Sequence, residues 1–194
     1  MFRPLLAATL LGATMAGACP VANDLATSIS LTFDDGITEV YREAGEGIVS
    51  VEGRIDGAVV YRMQLARGVH ILRYEDVEDG QSVPGSLMVY DYGREPALLP
   101  VPEPGGRWQG EVVLTRPGEV ITEAQSQVYG AEDLLQIGEC RYRSLEAVIA
   151  YDTPDGYIEG LLWLPELGFA ILDWTQTGAE DRIDIVPLAI SRGK

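Results

Sequence analysis

The chain has 194 residues, and its 30 acidic and 14 basic side chains give a net charge of −16 at neutral pH. A field of that sign repels phosphate backbones and anionic membrane surfaces, so nucleic acid is not an expected partner. Two cysteines and one histidine provide too few thiolate or imidazole ligands for a typical zinc site. The sequence therefore predicts no metal and no cofactor.

The first element along the chain is an export signal. Arg3 precedes an apolar run over residues 5–18, and small residues at the end of this run are typical of a signal peptide cleaved after Ala18. We therefore predict a signal peptide over residues 1–18 and a single exported, periplasmic domain over residues 19–194. No later stretch is apolar over the roughly 18 residues that a transmembrane helix needs.

The predicted cleavage site lies directly before Cys19, one of the two cysteines. In an oxidising compartment the simplest use of Cys19 and Cys140 is one disulfide, which closes a loop of about 120 residues. On the chain-entropy model such a loop stabilises the fold by about 4–5 kcal/mol. The alternative is a lipoprotein with an acylated Cys19. Ala16 favours ordinary cleavage, because a lipobox has a large aliphatic residue at that position.

The predicted mature chain consists of short alternating runs separated by turn signals. Asp-Gly pairs at residues 35–36, 56–57, 79–80 and 155–156 are the strongest short-range signals for hairpins. Within residues 58–65, apolar and polar side chains alternate, as expected where one face of an antiparallel sheet is buried. We predict strands over residues 28–33, 37–43, 48–55, 58–65, 69–77, 84–92, 108–115, 119–129, 140–151, 157–164, 169–176 and 182–190.

Three segments are not predicted as strands. Residues 93–107 contain four prolines and three glycines, which indicates a loop that forms a flap or crosses between two halves of the sheet. Residues 131–137 are expected to form one or two helical turns, and a second short helix is expected near residues 21–27.

Hairpin-connected strands without βα alternation predict an all-β fold. The expected architecture is a single antiparallel meander of about 10–12 strands, curled into a full or partial barrel, because strands that are neighbours in sequence usually pair. A β-sandwich is the alternative. By architecture alone, the predicted barrel resembles the open barrels of periplasmic lipoprotein carriers, an analogy at the level of the fold.

Residues 31–36 read LTFDDG, which resembles the first motif of the polysaccharide deacetylases. The resemblance implies a distorted (β/α) barrel in which Asp34 is a general base and Asp35 a metal ligand. The family motif continues with proline where this chain has Ile37, and two histidines complete its metal site, whereas His70 is the one histidine here. We therefore interpret the motif as a false match and residues 31–36 as the end of a hairpin.

No other motif assigns a catalytic residue. His70 lies in an alternating run, and the sequence contains no Gly-x-Ser-x-Gly elbow that could supply a partner nucleophile. Cys140 is explained by the disulfide. The acidic run over residues 75–80 lacks the spacing of an EF-hand and is interpreted as a solvated hairpin tip.

The clearest remaining functional signal is an apolar hairpin. Residues 161–165 and 169–174 are apolar on both faces, so one face can pack on the core while the other needs a cover, a partner or a ligand. Residues 131–137 and the proline-rich loop are the candidate covers. The leading hypothesis is a non-enzymatic domain that binds an apolar small molecule, a lipid or an envelope protein on a concave sheet face. The residues expected to contact the ligand are Tyr61, Met63, Tyr90, Trp108, Leu162, Trp163 and Trp174.

Two other functions stay open at this point. An envelope glycan hydrolase would need two facing carboxylates about 5–10 Å apart in an open cleft. A structural or inhibitory partner of a basic envelope protein would bind in a salt-sensitive manner, because exposed charges are screened by salt.

Overall fold

A computed structural model describes residues 18–193 of the protein. The predicted signal peptide lies, except for Ala18, outside these described residues. The described chain contains fourteen strands and two short 3-10 helices, Ala22–Ala26 and Pro96–Leu98. The strands are β1 (Ile29–Phe33), β2 (Thr38–Gly45), β3 (Ile48–Ile55), β4 (Ala58–Ala66), β5 (His70–Glu78), β6 (Gln81–Ser82), β7 (Met88–Asp91), β8 (Arg107–Arg116), β9 (Glu119–Ile137), β10 (Cys140–Tyr151), β11 (Tyr157–Leu164), β12 (Phe169–Thr177), β13 (Ile183–Asp184) and β14 (Pro187–Arg192).

The strands pair as one antiparallel sheet. Its order is β13-β12-β11-β10-β9-β8-β7-β5-β4-β3-β2-β1-β14, and β6 pairs with β5 beside this path. From β1 to β12 the order follows the chain, because short hairpin connections bring consecutive strands together. The all-β antiparallel meander predicted from the sequence is confirmed, in the form of a partial barrel.

A short segment of chain bridges the two edges of this sheet. β13 pairs with β12 at one edge and β14 pairs with β1 at the other, and Ile185 and Val186 connect them. The Ile185 amide donates to the Asp173 carbonyl of β12 at 2.7 Å, and the Val186 amide donates to the Asp34 carboxylate at 3.0 Å. The single strand predicted over residues 182–190 is therefore divided, because the chain changes its pairing partner there.

The Asp-Gly pairs lie in turns between strands. Asp56 and Gly57 both have positive φ, at 51° and 84°, which is the requirement of a type I′ turn. In the turn between β1 and β2, the Asp35 carboxylate accepts a hydrogen bond from the Ile37 amide at 2.9 Å. Residues 31–36 therefore form the end of a hairpin in an all-β fold, and the (β/α) barrel that the deacetylase resemblance implies is absent from the described chain.

The helix expected over residues 131–137 is wrong. These residues form the last part of β9, where Leu135 pairs with Tyr142 and Ile137 pairs with Cys140 of β10. Alanine, leucine, glutamate and glutamine favour a helix when isolated, but here the ladder with β10 and the complete burial of Ile137 outweigh that preference. The second expected helix is the 3-10 helix Ala22–Ala26.

The hairpin of β11 and β12 lies between two hydrophobic clusters. One face places Leu164 and Phe169 in the larger cluster, together with side chains of β1 to β4. The other face places Trp163 and Ala170 in a smaller cluster with side chains of β9 and β10. Both faces of the hairpin are thus removed from water, which stabilises it by the usual hydrophobic contribution of buried apolar area.

Both expected covering segments contribute to this burial. Ile137, at the end of the segment over residues 131–137, is fully buried in the larger cluster. Val101 of the proline-rich loop packs against the smaller cluster, and the neighbouring Leu99 is only 3% exposed. The proline-rich loop is therefore a packed cover at one side of the sheet.

Cys19 and Cys140 form the predicted disulfide, with their Cα atoms 5.6 Å apart. The Tyr142 hydroxyl donates to the Pro20 carbonyl at 3.2 Å, which fixes the same N-terminal segment against β10. A lipid thioether would need the sulfur of Cys19 that the disulfide occupies, so the two alternatives exclude each other in one molecule. Within residues 18–193, no helix combines the length and apolar character needed to cross a membrane.

Candidate functional site

A cavity of about 340 Å³, partly open to solvent, lies between β1–β2, β4–β5 and β11–β12. This volume is within the range of small-molecule sites, which is roughly 300–1,000 Å³. Most of its lining is apolar. The lining side chains come mainly from β1, β2, β4 and β5, near one edge of the sheet, and from β11 and β12, near the other edge. The apolar lining includes Phe33, Ile37, Met63, Leu65, Ile71 and Leu161.

One end of the cavity is closed by contact between two turns. The Ala170 amide of β12 donates to the Gly68 carbonyl, in the turn between β4 and β5, at 2.8 Å. A Cβ atom on Gly68 would lie 2.2 Å from the Gly168 carbonyl oxygen, so glycine is required for this approach. At the other end, the lining includes Asp35 in the exposed turn between β1 and β2. Solvent therefore reaches the cavity beside Asp35.

Glu39 of β2 is a buried polar group in the cavity lining. It is 8% exposed, and its two carboxylate oxygens accept hydrogen bonds from the hydroxyls of Tyr41 and Tyr61. Burial raises the pKa of Glu39, and the two tyrosine hydrogen bonds only partly oppose this effect. A negative charge at Asp35 acts in the same direction as burial.

The position of Tyr61 depends on a glycine in the intervening strand. Gly53 of β3 pairs with Glu39 on one side and with Tyr61 on the other. A Cβ atom at Gly53 would lie 2.1 Å from the Tyr61 ring. The missing side chain lets the ring lie across β3, and this brings the Tyr61 hydroxyl to Glu39.

Glu159 of β11 is the second buried carboxyl of the cavity. It is also 8% exposed, and its oxygens accept hydrogen bonds from Tyr151 of β10 and, at 3.3 Å, from Tyr157. Burial raises the pKa of Glu159, and the nearby Glu123 adds to this effect. We call Glu39 and Glu159 the cavity glutamates.

The cavity glutamates differ from the acidic residues on the opposite face of the sheet. There, Glu52 bonds to Arg54 and Glu75 bonds to Arg73, and these hydrogen bonds lower the pKa of both carboxyls. Among the ion pairs formed within residues 18–193, none includes a cavity glutamate. The chain thus places two carboxyls in the cavity with tyrosine hydroxyls as their hydrogen-bond donors and without a cation.

His70 lies in a buried hydrogen-bonded chain that holds the proline-rich loop. Its Nε2 is 2.8 Å from the Pro100 carbonyl, and Gln127 donates to its Nδ1 at 3.3 Å. Because a carbonyl can only accept, Nε2 carries the proton and the ring is neutral. Tyr129 in turn donates to the Gln127 side-chain oxygen at 2.8 Å, and burial lowers the pKa of His70.

The two aspartates of the LTFDDG motif are engaged in turn structure. The Asp34 carboxylate accepts from the Val186 amide at the bridged edges, and the Asp35 carboxylate accepts from the Ile37 amide. Within the described part of the chain, no group of three histidine, cysteine, aspartate or glutamate side chains is arranged to hold a metal ion.

The structure brings together two of the residues singled out in the sequence. Tyr61 and Met63 both line the cavity. Trp108 is not part of the lining; it packs around His70, with the two ring centroids 5.6 Å apart. That Tyr61 and Met63 contact a ligand stays a prediction, which substitutions in this cavity can test.

The other residues singled out in the sequence have positions outside this cavity. Leu162 packs against the larger cluster, and Trp163 belongs to the smaller one. Trp174 is 6% exposed and lies over Gly160, where a Cβ atom would be 2.0 Å from the indole nitrogen. Tyr90 contacts Met88 through a 3.7 Å hydroxyl–sulfur interaction. Their aromatic and aliphatic surfaces are used mainly in packing.

The inward orientation of the cavity glutamates can be recognised from the alternation of side chains along their strands, although not from the amino-acid composition. Glu39 of β2 alternates with Ile37, just before the strand, and with Tyr41, and Glu159 lies between Tyr157 and Leu161 in β11. An acidic residue in phase with apolar ones points to the buried face of its strand. That phase distinguishes these two glutamates from most of the acidic residues of the chain.

The fold and the cavity define an antiparallel β-sheet protein whose curled sheet surrounds a small cavity lined by two buried glutamates. No protein-family model matches the chain, and no curated protein is similar to it in sequence. One solved structure similar to it is that of the hypothetical lipoprotein YmcC from Escherichia coli (K12), with 11% identity and a TM-score of 0.45. The similarity covers 84% of this chain and 87% of that chain.

Proposed function

We propose that the protein is a non-enzymatic binding domain that takes one small, mainly apolar molecule into its internal cavity. The observation that carries this proposal is the cavity itself, an apolar-walled space of about 340 Å³ with access beside Asp35. A mainly apolar recess of this volume, with a few polar groups that converge on it, is the usual form of a small-molecule site.

Hydrolysis of a glycan is less well supported by the same residues. Two catalytic carboxyls need environments that separate their protonation states, so that one is ionised while the other is protonated. Burial instead raises the pKa of both cavity glutamates, and each accepts two hydrogen bonds from tyrosines. Because the two carboxyls have similar environments, they are better suited to binding a ligand than to acting as a general acid and a general base.

The proposed location is the periplasm. The disulfide between Cys19 and Cys140 supports this, because disulfides persist mainly in oxidising compartments. The apolar run before Cys19 supports export by its sequence pattern. A soluble carrier or sensor of a small apolar molecule is compatible with both observations.

The experiment is a titration of the disulfide-bonded protein with the neutral fluorophore N-phenyl-1-naphthylamine. We expect saturable binding of one molecule per chain. Met63→Trp, which fills the cavity, should abolish binding, whereas Gln64→Trp should not, because the next residue of β4 is exposed on the other face. Circular dichroism establishes that both variants are folded. Absence of saturable binding to the wild type, or equal binding by both variants, would overturn the proposal.

A further inference from the structure

We propose that the cavity binds an organic cation, a molecule with an amine or quaternary ammonium group on an apolar body. This inference rests on the binding function proposed above and names the chemical class of the ligand. The apolar body would occupy the space lined by Met63, Leu65 and Leu161, and the cation would lie against the cavity glutamates.

The first argument is the missing counter-charge. Glu39 and Glu159 are each more than nine-tenths buried, and buried carboxylates are normally paired with a cation or protonated. The ion pairs among residues 18–193 supply arginines to Glu52 and Glu75 on the opposite face but none to the cavity glutamates. A ligand ammonium group would provide the missing partner inside the cavity.

The second argument is the aromatic surroundings of these carboxyls. The rings of Tyr61 and Tyr74 are stacked with centroids 5.7 Å apart, and both residues line the cavity. Tyr157 lines it beside Glu159, with its ring centroid 5.5 Å from that of Tyr151. The face of an aromatic ring attracts a cation, most strongly where water is excluded. Carboxyl and aromatic groups together favour a quaternary or primary ammonium.

The third argument is the sign of charge at the entrance. Asp35 lies where solvent reaches the cavity, and the described lining contains no lysine or arginine. A fatty acid or another anion would meet Asp35, Glu39 and Glu159 without any compensating positive group. The net charge of −16 also raises the local concentration of cations around the protein.

The protonation of the cavity glutamates should make the affinity of the cavity for a cation depend on pH. Burial raises the pKa of both, so a fraction of each is neutral at acidic pH and offers no charge to a cation. The groups that face Glu39 are Asp35, Tyr41 and Tyr61. Those that interact with Glu159 are Glu123, Tyr90, Tyr92, Tyr151 and Tyr157. Affinity for a cation should therefore rise as the pH passes through the raised pKa of these carboxyls, above the ordinary value of about 4.5.

The test compares three ligands of one chain length: octylamine, 1-octanol and octanoate. Each displaces N-phenyl-1-naphthylamine from the disulfide-bonded protein at pH 7.5. We expect octylamine to bind at least about tenfold more tightly than octanol, and octanoate to bind more weakly than octanol. Octylamine affinity should fall when the pH is lowered to 4.5, while octanol affinity should change little.

Matched variants assign the effect to the cavity. Glu39→Gln and Glu159→Gln keep the size of the side chain, and each should reduce octylamine affinity about tenfold while leaving octanol affinity within about twofold. Glu52→Gln, on the opposite face, is the control and should change neither. Equal binding of octylamine and octanol would overturn the cation inference while the binding function stands. Failure of all ligands, including the fluorophore, would overturn both.

Discussion

Tyr41 of β2 stacks on Phe169 of β12, with ring centroids 3.9 Å apart and 14° between the ring planes. Tyr41 is only 1% exposed, and its hydroxyl donates to Glu39. One side chain therefore belongs to the larger hydrophobic cluster through its ring and to the cavity through its hydroxyl. The packing between β2 and β12 determines where a polar group of the cavity lies.

Two variants separate these roles of Tyr41. Phe169→Ala removes the stacked ring and should lower the free energy of unfolding by about 3–5 kcal/mol. Tyr41→Phe keeps the ring and removes the hydrogen bond to Glu39, so this variant should lower the free energy of unfolding by about 1–2 kcal/mol. Urea denaturation at pH 7 measures both. Equal losses in the two variants would contradict the assignment.

The cavity glutamates should make stability depend on pH. Because their pKa is higher in the folded than in the unfolded protein, the neutral carboxyl favours folding. This contribution is fully present below the unfolded pKa of about 4.5 and is lost as the pH rises through the folded pKa. The double variant Glu39→Gln and Glu159→Gln should therefore gain stability over the wild type at pH 7.5, and the gain should shrink at pH 4.5. Denaturation at the two pH values tests the sign, and Glu52→Gln, which removes a carboxyl with a lowered pKa, should not gain stability at pH 7.5.

Gly53 should tolerate no side chain, because the Tyr61 ring occupies the space of a Cβ atom. Gly53→Ala should lower the free energy of unfolding by about 1–3 kcal/mol and weaken ligand binding, since Tyr61 must move away from Glu39. Gly130→Ala in β9 is the matched control, because its nearest contact would be an ordinary 3.7 Å. We expect that variant to change stability by less than about 0.5 kcal/mol in the same denaturation series.

The disulfide should account for a large part of the stability. Its two cysteines are 121 residues apart, and Cys140→Ser should lower the free energy of unfolding by about 4–5 kcal/mol on the chain-entropy model. The intact mass of the protein purified from its source cells checks the chemistry directly. A mass two hydrogens below that of the reduced chain cleaved before Cys19 is expected, and an added acyl mass would show the lipoprotein alternative instead.

The His70 imidazole can be followed without ambiguity, because the chain contains one histidine. Burial lowers its pKa, so NMR titration of the ring should give a value below the ordinary 6.5. The neutral ring favours the fold, and its contribution is present above pH 6.5 and is lost as the pH falls through the folded pKa. The protection of amides near Pro100, measured relative to the intrinsic exchange rate at each pH, should fall at pH 5, and His70→Gln should remove this pH dependence.

Local patterns were sufficient to predict most strands. β3 and β4 have the alternation of residues 48–65, and the positive φ of Asp56 and Gly57 is what an Asp-Gly turn supplies. Residues 131–137 were mispredicted because their composition favours a helix, whereas their pairing with β10 depends on a partner further along the chain.

The cavity could not be predicted to the same degree. The hydrogen bond between Tyr61 and Glu39 joins side chains that are two strands apart, and it exists because Gly53 leaves its space empty. Such a contact depends on the register of three strands at once, which no local pattern specifies. The phase of Glu39 and Glu159 within their strands indicated inward orientation, but only the assembled sheet shows that both face one space.

The bridge between the sheet edges also has a consequence for the order of folding. Ile29 in the first strand pairs with Arg192 in the last, so β1 can acquire this neighbour only after nearly the whole described chain has been synthesised. Contacts between residues so distant in sequence form slowly, because closing a long loop is entropically unfavourable. Until the last strand is available, a chain with this topology leaves the outer edge of β1 without its hydrogen-bonding neighbour, and an unpaired strand edge is a template for pairing with another chain.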